Sequence, residues 1–274
     1  MPERRQPPTT LERSVTVGEM EFRAFSTAVA PENGQVGSAA PPVHVLVHGI
    51  GASHRYLSRL HDELALHGEV HSIDLPGFGG LPKPGHSPSV AEMARALGAA
   101  LDLLGIPAGV LLGHSMGAQW VVELAVQRPD RATGVVIVGP VADDRHRSLP
   151  AQALALGIDI LVEPPDVDLV VLLDYLRCGP AWFLRQSEPM LTYPIERRVA
   201  ELAVPLLVVR GGLDPIAGIA WCRRLRDRAV DGRLAVVPGH RHVVQHTAPR
   251  AVADAVLSLG VRRVQAGAEQ GTGA

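Results

Sequence analysis

Short apolar runs alternate with longer stretches of helical spacing along most of the 274-residue chain. The runs are rich in Val, Leu and Ile and predict buried strands at residues 43–47, 70–75, 109–112, 135–138, 206–209 and 234–237. Between them, apolar positions three and four residues apart predict helices at 55–66, 89–104, 115–127, 216–228 and 250–259. Because strands and helices alternate, we expect an α/β fold in which helices flank a mostly parallel central sheet.

The chain ahead of this alternation has a different pattern. Residues 14–17 and 20–25 predict two antiparallel strands joined at Gly18-Glu19, since glycine suits the tight two-residue turn of a hairpin. Residues 28–42 are rich in Pro, Gly, Ser and Ala, which predicts a surface loop. The fold is therefore expected to open with a hairpin before the main sheet begins.

One segment, residues 141–204, interrupts the alternation. It contains no convincing strand, is rich in Leu and Ala, and is divided by several prolines, so we interpret it as a helical cap inserted into the core. The core then consists of residues 1–140 and 205–260 and forms a single domain. Residues 261–274 are small and polar without periodicity, which predicts a disordered tail.

Composition narrows the possible partners and the compartment. Hydrophobic residues make up 46% and charged residues 20% of the chain, a balance typical of globular domains. The formal net charge of -2 offers no basic surface for nucleic acid, and no apolar stretch approaches the length of a membrane helix. The N-terminus lacks the apolar segment of a secretory signal, and Cys178 and Cys222 are expected to be reduced core residues. We therefore expect a cytoplasmic protein that acts on a small molecule, with no prediction of its oligomeric state.

The strongest chemical signal is the pentapeptide Gly113-His114-Ser115-Met116-Gly117. It follows the predicted strand GVLL and opens the helix AQWVVELAV, which is the strand, sharp turn and helix context of a G-x-S-x-G nucleophile elbow. The glycines permit a strained turn that projects the Ser115 hydroxyl above the sheet, at the N-terminus of the helix. This pattern predicts that Ser115 is a catalytic nucleophile.

With these residues in view, the chain resembles the α/β-hydrolase family from about residue 14 to residue 259. Four motifs occur in the family's order: HGIGAS at 48–53 resembles its oxyanion loop, DLPGFGG at 74–80 the turn after its next strand, GHSMGA its elbow, and GGLDPI at 211–216 its acid turn. The resemblance implies an α/β-hydrolase fold with a small helical cap and a serine hydrolase that needs neither a cofactor nor a metal.

A serine hydroxyl becomes a good nucleophile when a histidine accepts its proton and a carboxylate orients that histidine. Asp214 follows the strand PLLVV in a Gly-Gly turn at the ligand-binding edge of the sheet, which favours it as the acid. The alternative is that Asp214 only caps the next helix. Asp143 and Asp144 follow the preceding strand and are the alternative acids, since some family members place the acid there.

Three histidines in the segment VPGHRHVVQHTAP are candidates for the base: His240, His242 and His246. His242 lies where the family carries its catalytic histidine, between Pro238 and Pro249, although Arg241 replaces the glycine usually found before it. The resulting order of serine, acid and histidine is that of the family.

By resemblance, the oxyanion hole is formed by the backbone amides of Ile50 and Met116. His48 and Asp74 are expected to hold loop backbone at strand ends. His114 is predicted to contact the substrate, and support of the elbow is the alternative.

The cap is predicted to form one wall of the pocket, with Trp182 and Phe183 as substrate-binding residues; the alternative is that its apolar side chains only pack the cap on the body. With no cationic cluster there, we expect cleavage of a small or medium apolar carboxylic ester, thioester or lactone through an acyl-enzyme. The alternatives are hydrolysis of a carbon-carbon bond in a β-diketone-like or ring-cleavage product, perhydrolase chemistry, and a non-catalytic ligand-binding protein on the same fold.

Overall fold

The computed structural model describes residues 10–28, 41–145 and 173–270, with side chains described as far as residue 259. The strands within these residues are β1 (Thr10–Val17), β2 (Met20–Thr27), β3 (Val43–Val47), β4 (Glu69–Asp74), β5 (Gly109–His114), β6 (Ala132–Val138), β7 (Leu206–Gly211) and β8 (Gly232–Val237). The helices are α1 (Ser58–Ala65), α2 (Val90–Leu103), α3 (Gly117–Gln127), α4 (Pro180–Thr192), α5 (Ile195–Arg198), α6 (Ile219–Arg228), α7 (Val244–Thr247) and α8 (Pro249–Gln270). Residues 173–178 are also helical.

The eight strands form one sheet in the order β1-β2-β4-β3-β5-β6-β7-β8. β1 pairs with β2 and β2 with β4 in antiparallel register, while every pair from β4 to β8 is parallel. The predicted hairpin and the mostly parallel sheet are both confirmed. Because the parallel strands run the same way, the loops that follow β3, β4, β5, β6, β7 and β8 meet at one edge of the sheet, where α/β proteins bind ligands.

Two apolar layers cover the two faces of the sheet. On one face, α2, α3 and α6 pack around Trp120 and Trp221 with Phe22 and Phe78. On the other face, α1 and α8 contribute apolar side chains such as Leu60. Strands β5, β6 and β7 are buried almost throughout, which explains why their sequences are continuous apolar runs rather than alternating ones.

The helices follow the predicted positions with informative differences at their ends. Ser89 caps α2 by accepting a hydrogen bond from the amide of Glu92, as a helix-starting serine should. Residues 54–57 form a 3₁₀ turn before α1, where one helix was predicted from residue 55. Helix α3 begins at Gly117, and Ser115 is not helical. Helix α8 continues to Gln270, so residues 261–270 are helical where the sequence predicts a disordered tail.

The cap is described in part. Residues 146–172 of the predicted cap segment 141–204 lie outside the described residues. So do residues 29–40 of the predicted surface loop 28–42 and residues 271–274 of the predicted tail. The described cap is mostly helical from residue 173 onwards, with Pro180 in the first turn of α4, where proline is well tolerated, whereas residues 141–145 are not helical. Cys178 and Cys222 are buried and unpaired, as expected. Across the described helices, none combines the length and apolar character needed to cross a bilayer.

Candidate active site

Ser115 lies in a sharp turn between β5 and α3. Its φ angle is 57°, in the left-handed region that side-chain-bearing residues seldom adopt. Both flanking glycines are required by close backbone contacts: a Cβ at Gly113 would lie 2.2 Å from the carbonyl oxygen of Gly117, and a Cβ at Gly117 would lie 2.5 Å from the carbonyl oxygen of Val47. The elbow predicted from the motif is therefore present, and it holds Ser115 under strain at the edge of the sheet.

Asp214 and His242 form a hydrogen-bonded pair at the same edge. The Nδ1 atom of His242 lies 3.0 Å from Oδ2 of Asp214, and both side chains are buried. Since a carboxylate accepts hydrogen bonds, Nδ1 carries the proton, and in a neutral His242 the lone pair is on Nε2. The Asp214 carboxylate thus sets the tautomer of a neutral His242.

The other carboxylate oxygen of Asp214 organises its own loop. Oδ1 accepts hydrogen bonds from the amides of Ile216 and Ala217 at 2.8 and 2.9 Å. Burial would raise the pKa of the Asp214 carboxyl, but the charge and hydrogen bond of His242 and these two amides outweigh burial, so its pKa lies below its usual value. Asp214 therefore holds its own loop and pairs with His242. It does not cap the following helix, the alternative considered from the sequence, because the N-cap residue of α6 is Gly218.

The alternative acids are engaged elsewhere. Asp143 and Asp144 both form ion pairs with Arg224 of α6. Among the alternative bases, His240 is half-buried and its Nδ1 lies 2.9 Å from the hydroxyl oxygen of Thr247, while His246 lies in α7, just before the final helix. In the described part of the chain, Asp214 is the carboxylate bonded to His242.

Contacts around the elbow bring Ser115 to this pair. The amide of Ser115 donates to the carbonyl of Val138, and the next residue, Gly139, packs so closely that a Cβ there would lie 3.0 Å from the ring of His242. On the other side of the elbow, the ring centroid of His114 lies 4.7 Å from that of His242. Ser115, His242 and Asp214 therefore occupy one end of the sheet, above β5, β6 and β7.

The oxyanion loop is held mainly through the peptide that joins Gly49 to Ile50. His48 Nδ1 donates to the Gly49 carbonyl at 2.7 Å, and His48 Nε2 accepts from the amide of Leu75 at 3.1 Å. Burial lowers the pKa of His48, so it stays neutral in this role. Because the N–H and C=O of a trans peptide point in opposite directions, anchoring the Gly49 carbonyl also aims the Ile50 amide. The expectation that His48 supports loop backbone agrees with these contacts.

The two amides predicted to form the oxyanion hole are available. Neither the Ile50 amide nor the Met116 amide donates a hydrogen bond to any residue that the structure describes. Met116 immediately precedes α3, where the unpaired amides of a helix N-terminus carry partial positive charge. Ile50 and Met116 remain a prediction, but among the described residues no acceptor occupies either amide, so both could stabilise a developing negative charge.

Asp74 also supports backbone, as expected. Its two oxygens accept from the His54 amide at 2.6 Å and pair with His54 Nδ1 at 2.8 Å. A Cβ at Gly79 would lie 2.4 Å from Asp74 Oδ2, so the glycine leaves room for the carboxylate. Asp74 thereby joins the DLPGFGG turn to the start of the 3₁₀ segment before α1.

The cap covers the two glycine-bearing loops with aromatic side chains. A Cβ at Gly51 would lie 2.5 Å from the ring of Tyr175 and 3.2 Å from Phe183, and a Cβ at Gly77 would lie 2.4 Å from the indole nitrogen of Trp182. Trp182 is buried against the DLPGFGG turn, whereas Phe183 is half-buried beside the oxyanion loop. Phe183 is thus better placed than Trp182 to meet a substrate, and Tyr175 is a neighbour that the sequence did not single out.

Two other side chains missed from the sequence hold the site together. Arg210, at the end of β7, donates to the carbonyl oxygens of Ala217, Asp214 and Gly212 at 2.6, 3.0 and 3.3 Å. The sequence offered a signal for Arg210, because an arginine near the end of an apolar strand needs buried partners. Asp174 of the cap accepts a hydrogen bond from Ser53, at the end of the oxyanion loop. No local pattern marks that contact, since 121 residues separate the pair.

Comparison of this chain with known sequences finds a matching protein family. The model of the alpha/beta hydrolase family matches residues 45–255. The biotin biosynthesis bifunctional protein BioHC of Cellvibrio japonicus is 28% identical over 240 residues, covering 78% of this chain and 47% of the relative. The dihydrolipoyllysine-residue acetyltransferase component of the acetoin cleaving system of Pseudomonas putida is 28% identical, covering 81% and 64%. The chain spans less than two thirds of the length of these curated relatives.

Comparison with solved structures extends over nearly the whole chain. The enol-lactonase from Burkholderia xenovorans has a TM-score of 0.74 at 19% identity and covers 91% of this chain and 100% of its own. The 2-hydroxy-6-oxo-6-phenylhexa-2,4-dienoate hydrolase from a Rhodococcus species has a TM-score of 0.73 at 21% identity, with 92% and 98% covered. At these identities the likeness shows the fold. Since the family match covers more than half of the sequence, the chain belongs to the alpha/beta hydrolase family.

Proposed function

We propose that this chain is a serine hydrolase that cleaves a small or medium apolar carboxylic ester, thioester or lactone through an acyl-enzyme. The observation that carries the proposal is the buried hydrogen bond of 3.0 Å between His242 Nδ1 and Asp214 Oδ2, beside a serine at a φ of 57°. A structural role alone does not require a base of fixed tautomer next to a strained serine.

In the first half of the reaction, Nε2 of His242 takes the proton of the Ser115 hydroxyl while Oγ attacks the substrate carbonyl carbon. The carbonyl oxygen becomes negative and is stabilised by the amides of Ile50 and Met116. Asp214 stays ionised and stabilises the imidazolium that His242 becomes. His242 then gives its proton to the leaving oxygen or sulfur, and the acyl group remains on Ser115 as an ester.

In the second half, a water molecule attacks the acyl-enzyme. His242 takes a proton from this water, and the same two amides stabilise the second tetrahedral intermediate. Collapse of that intermediate breaks the bond to Ser115 Oγ, which recovers its proton from His242. The carboxylic acid leaves, and the residues return to their starting protonation states without any cofactor.

The substrate class follows from what surrounds the oxyanion loop. Phe183 and the ring of Tyr175 face Gly51, and they favour an apolar group near the reacting carbonyl. Two cations close to the cap, Arg55 and Arg177, are paired with Asp174. These contacts favour an uncharged acyl group. The similarity to an enol-lactonase is in keeping with cleavage of an ester bond.

Hydrolysis of a carbon-carbon bond is the second candidate, because the fold is similarly close to that of a 2-hydroxy-6-oxo-6-phenylhexa-2,4-dienoate hydrolase. A substrate panel separates the two. Purified protein should be given p-nitrophenyl esters of increasing acyl length, lactones and β-diketones. Short esters or lactones are expected to be the best substrates, and a β-diketone cleaved faster than any ester would replace the proposal by the second candidate.

The nucleophile is tested by Ser115→Ala with Ser258→Ala as its matched control, since Ser258 lies exposed on α8 and bonds to the carbonyl of Ala255. An active-site-directed fluorophosphonate should label the wild type and Ser258→Ala but not Ser115→Ala. Ester turnover should follow the same pattern. Full turnover by Ser115→Ala would end the proposal, and labelling at Ser115 without turnover of any panel compound would indicate a non-catalytic binding protein.

A further inference from the structure

Three consecutive hydrogen bonds, together called the file, run through the candidate site beneath Ser115. The amide of Gly49 donates to the hydroxyl oxygen of Tyr56 at 3.0 Å. The Tyr56 hydroxyl is in turn bonded to Nδ1 of His114. Finally, Nε2 of His114 lies 3.0 Å from the carbonyl oxygen of His242. The file therefore joins the oxyanion loop, the elbow and the loop of the base.

The partners at the two ends fix the direction of every bond. The carbonyl oxygen of His242 can only accept, so Nε2 of His114 carries the proton and Nδ1 has the lone pair. The Tyr56 hydroxyl must then donate to Nδ1, and its oxygen is left to accept from the Gly49 amide. One arrangement of protons satisfies the file, and hydrogen bonds aligned in this way strengthen one another.

Both side chains stay neutral in this position. Burial lowers the pKa of His114 to about 3, with the nearby charge of His242 acting in the same direction. Burial also raises the pKa of the Tyr56 hydroxyl well above its usual value. The rings pack edge to face, with centroids 5.1 Å apart. The file is therefore unchanged across the pH range in which His242 would act as a base.

We propose that Tyr56 and His114 are positioning residues, which set the distance between the oxyanion loop and the base on either side of Ser115. This inference rests on the proposed serine hydrolase activity. The hydrogen bond from the Gly49 amide to Tyr56 also restrains the next residue, Ile50, whose amide is proposed to donate to the oxyanion. Bonding to the His242 backbone restrains the residue whose ring takes the proton. His114 then supports the elbow and the base rather than contacting the substrate.

Restraining this distance matters because oxyanion stabilisation and proton transfer both depend steeply on distance. The oxyanion bonds form when the carbonyl oxygen has moved to its tetrahedral position, and proton transfer needs His242 within hydrogen-bond reach of Ser115. A displacement of about 1 Å between them costs on the order of 10²-fold in rate. Loss of the file should therefore lower kcat rather than raise KM, because ground-state binding of the substrate does not use these bonds.

The test replaces Tyr56 by phenylalanine, which keeps the ring and removes the hydroxyl. Tyr193→Phe is the matched control, because Tyr193 is also buried and its hydroxyl donates to Glu123 at 2.8 Å, outside the file. We expect Tyr56→Phe to lower kcat for a p-nitrophenyl ester about 30- to 100-fold with KM changed less than about threefold. Tyr193→Phe should lower the melting temperature by a similar amount but leave kcat within about twofold.

A double-mutant cycle then tests whether the two residues act as one file. His114→Leu breaks the next link, and it also serves if Tyr56→Phe does not fold. In the double variant, the loss of kcat should be no more than about twofold greater than in the worse single variant. Independent, multiplicative losses would overturn the file as a unit, and so would a Tyr56→Phe protein that keeps the wild-type kcat.

These outcomes remain separate from failure of the proposed function. If Ser115→Ala keeps its turnover, the serine mechanism itself is wrong, whatever Tyr56→Phe does. If turnover depends on Ser115 but Tyr56→Phe and Tyr193→Phe behave alike, the mechanism stands and the positioning role does not. If the loss in Tyr56→Phe is in KM alone, the hydroxyl serves substrate binding, and the inference is again overturned.

Discussion

The sheet edge and the cap meet at the same site but are held by different forces. At the edge, the loops that carry Ser115, Asp214 and His242 are fixed by directional hydrogen bonds between buried groups. The described cap meets the oxyanion loop and the DLPGFGG turn chiefly through aromatic rings packed on glycine backbone, with Ser53 and Asp174 as a polar link. Directional bonds hold atoms to within fractions of an ångström, whereas packing tolerates exchange of one apolar group for another.

This difference suggests a division of labour. Groups proposed to react belong to the part of the molecule in which small displacements are most costly, while groups proposed to meet the variable part of a substrate belong to the more adaptable part. Substitutions at the edge should then change kcat greatly, and substitutions in the cap should change KM and substrate preference modestly. Four predictions test this contrast, in order of decreasing effect.

The largest effect is expected for His242→Ala, which removes the proposed base. Turnover of a p-nitrophenyl ester should fall by about 10⁵- to 10⁶-fold, because Ser115 then has no group to accept its proton. His240→Ala is the control, since its ring lies in the same loop and bonds to Thr247 instead. Steady-state kinetics of both variants check this, and equal collapse of both would show that the loop, rather than the imidazole at 242, carries the effect.

Asp214→Asn should have the next largest effect, about a 10⁴-fold loss of kcat. The amide cannot stabilise an imidazolium, and its NH₂ group favours the wrong tautomer of His242. Asp143→Asn provides the comparison, because Asp143 lies after the neighbouring strand and forms an ion pair with Arg224. Its kcat should stay within about threefold of wild type. A larger loss in Asp143→Asn than in Asp214→Asn would exchange the proposed roles of these acids.

Stability of the body should decline in mild acid. Burial lowers the pKa of His44, His61 and His71 from 6.5 to about 4. Each folded-state pKa lies below the unfolded value, so the unfolded chain binds more protons between these limits, and the free energy of unfolding falls as pH drops from 6.5 towards 4. The loss amounts to on the order of 3 kcal/mol for each histidine.

Urea unfolding at several pH values across this window measures that slope. His61→Gln should reduce the slope, and His86→Gln, at an exposed position, is the matched control. In the cap, burial raises the pKa of Asp174. Its contribution to the free energy of unfolding therefore has the opposite sign and rises as pH falls through its folded-state pKa. A free energy of unfolding that is constant from pH 7 to pH 4 would contradict the burial of these histidines.

The smallest effect is expected in the cap, for Phe183→Ala. Removing the ring beside Gly51 should raise KM for a short ester about tenfold and change kcat less than about threefold, because packing with the substrate is lost while the reacting groups stay in place. Leu184→Ala is the control on the same helix, since Leu184 is 61% exposed. If both variants shift KM equally, Phe183 does not line the pocket.

Elements with strong periodicity could be predicted from the sequence, and so could the residues within motifs. The apolar runs of β3 to β8 and the helix-starting serine at 89 are local signals, and the structure follows them. The motif G-x-S-x-G indicated the elbow, whereas the helical spacing placed the start of the helix at Ser115, two residues before its start at Gly117. Local patterns therefore located the elements better than they located the ends of the elements.

The side-chain contacts that could not be predicted from the sequence join distant parts of the chain. Tyr56 lies in a turn whose pattern indicates only a buried aromatic residue, and its hydroxyl is bonded to a histidine 58 residues away. Asp174 and Ser53 are separated by 121 residues. Side chains of this kind satisfy buried partners that become neighbours only when the sheet has formed, so no periodicity or spacing marks them.

The cap leaves the body after β6 and returns before β7, and these two strands are direct neighbours in the sheet. An insertion whose ends are so close can change in length or be exchanged for another without rearranging the strands next to the proposed reacting groups. The junction is therefore a suitable graft point, and caps from other members of this fold could be exchanged there without changing the loops that carry the proposed catalytic residues.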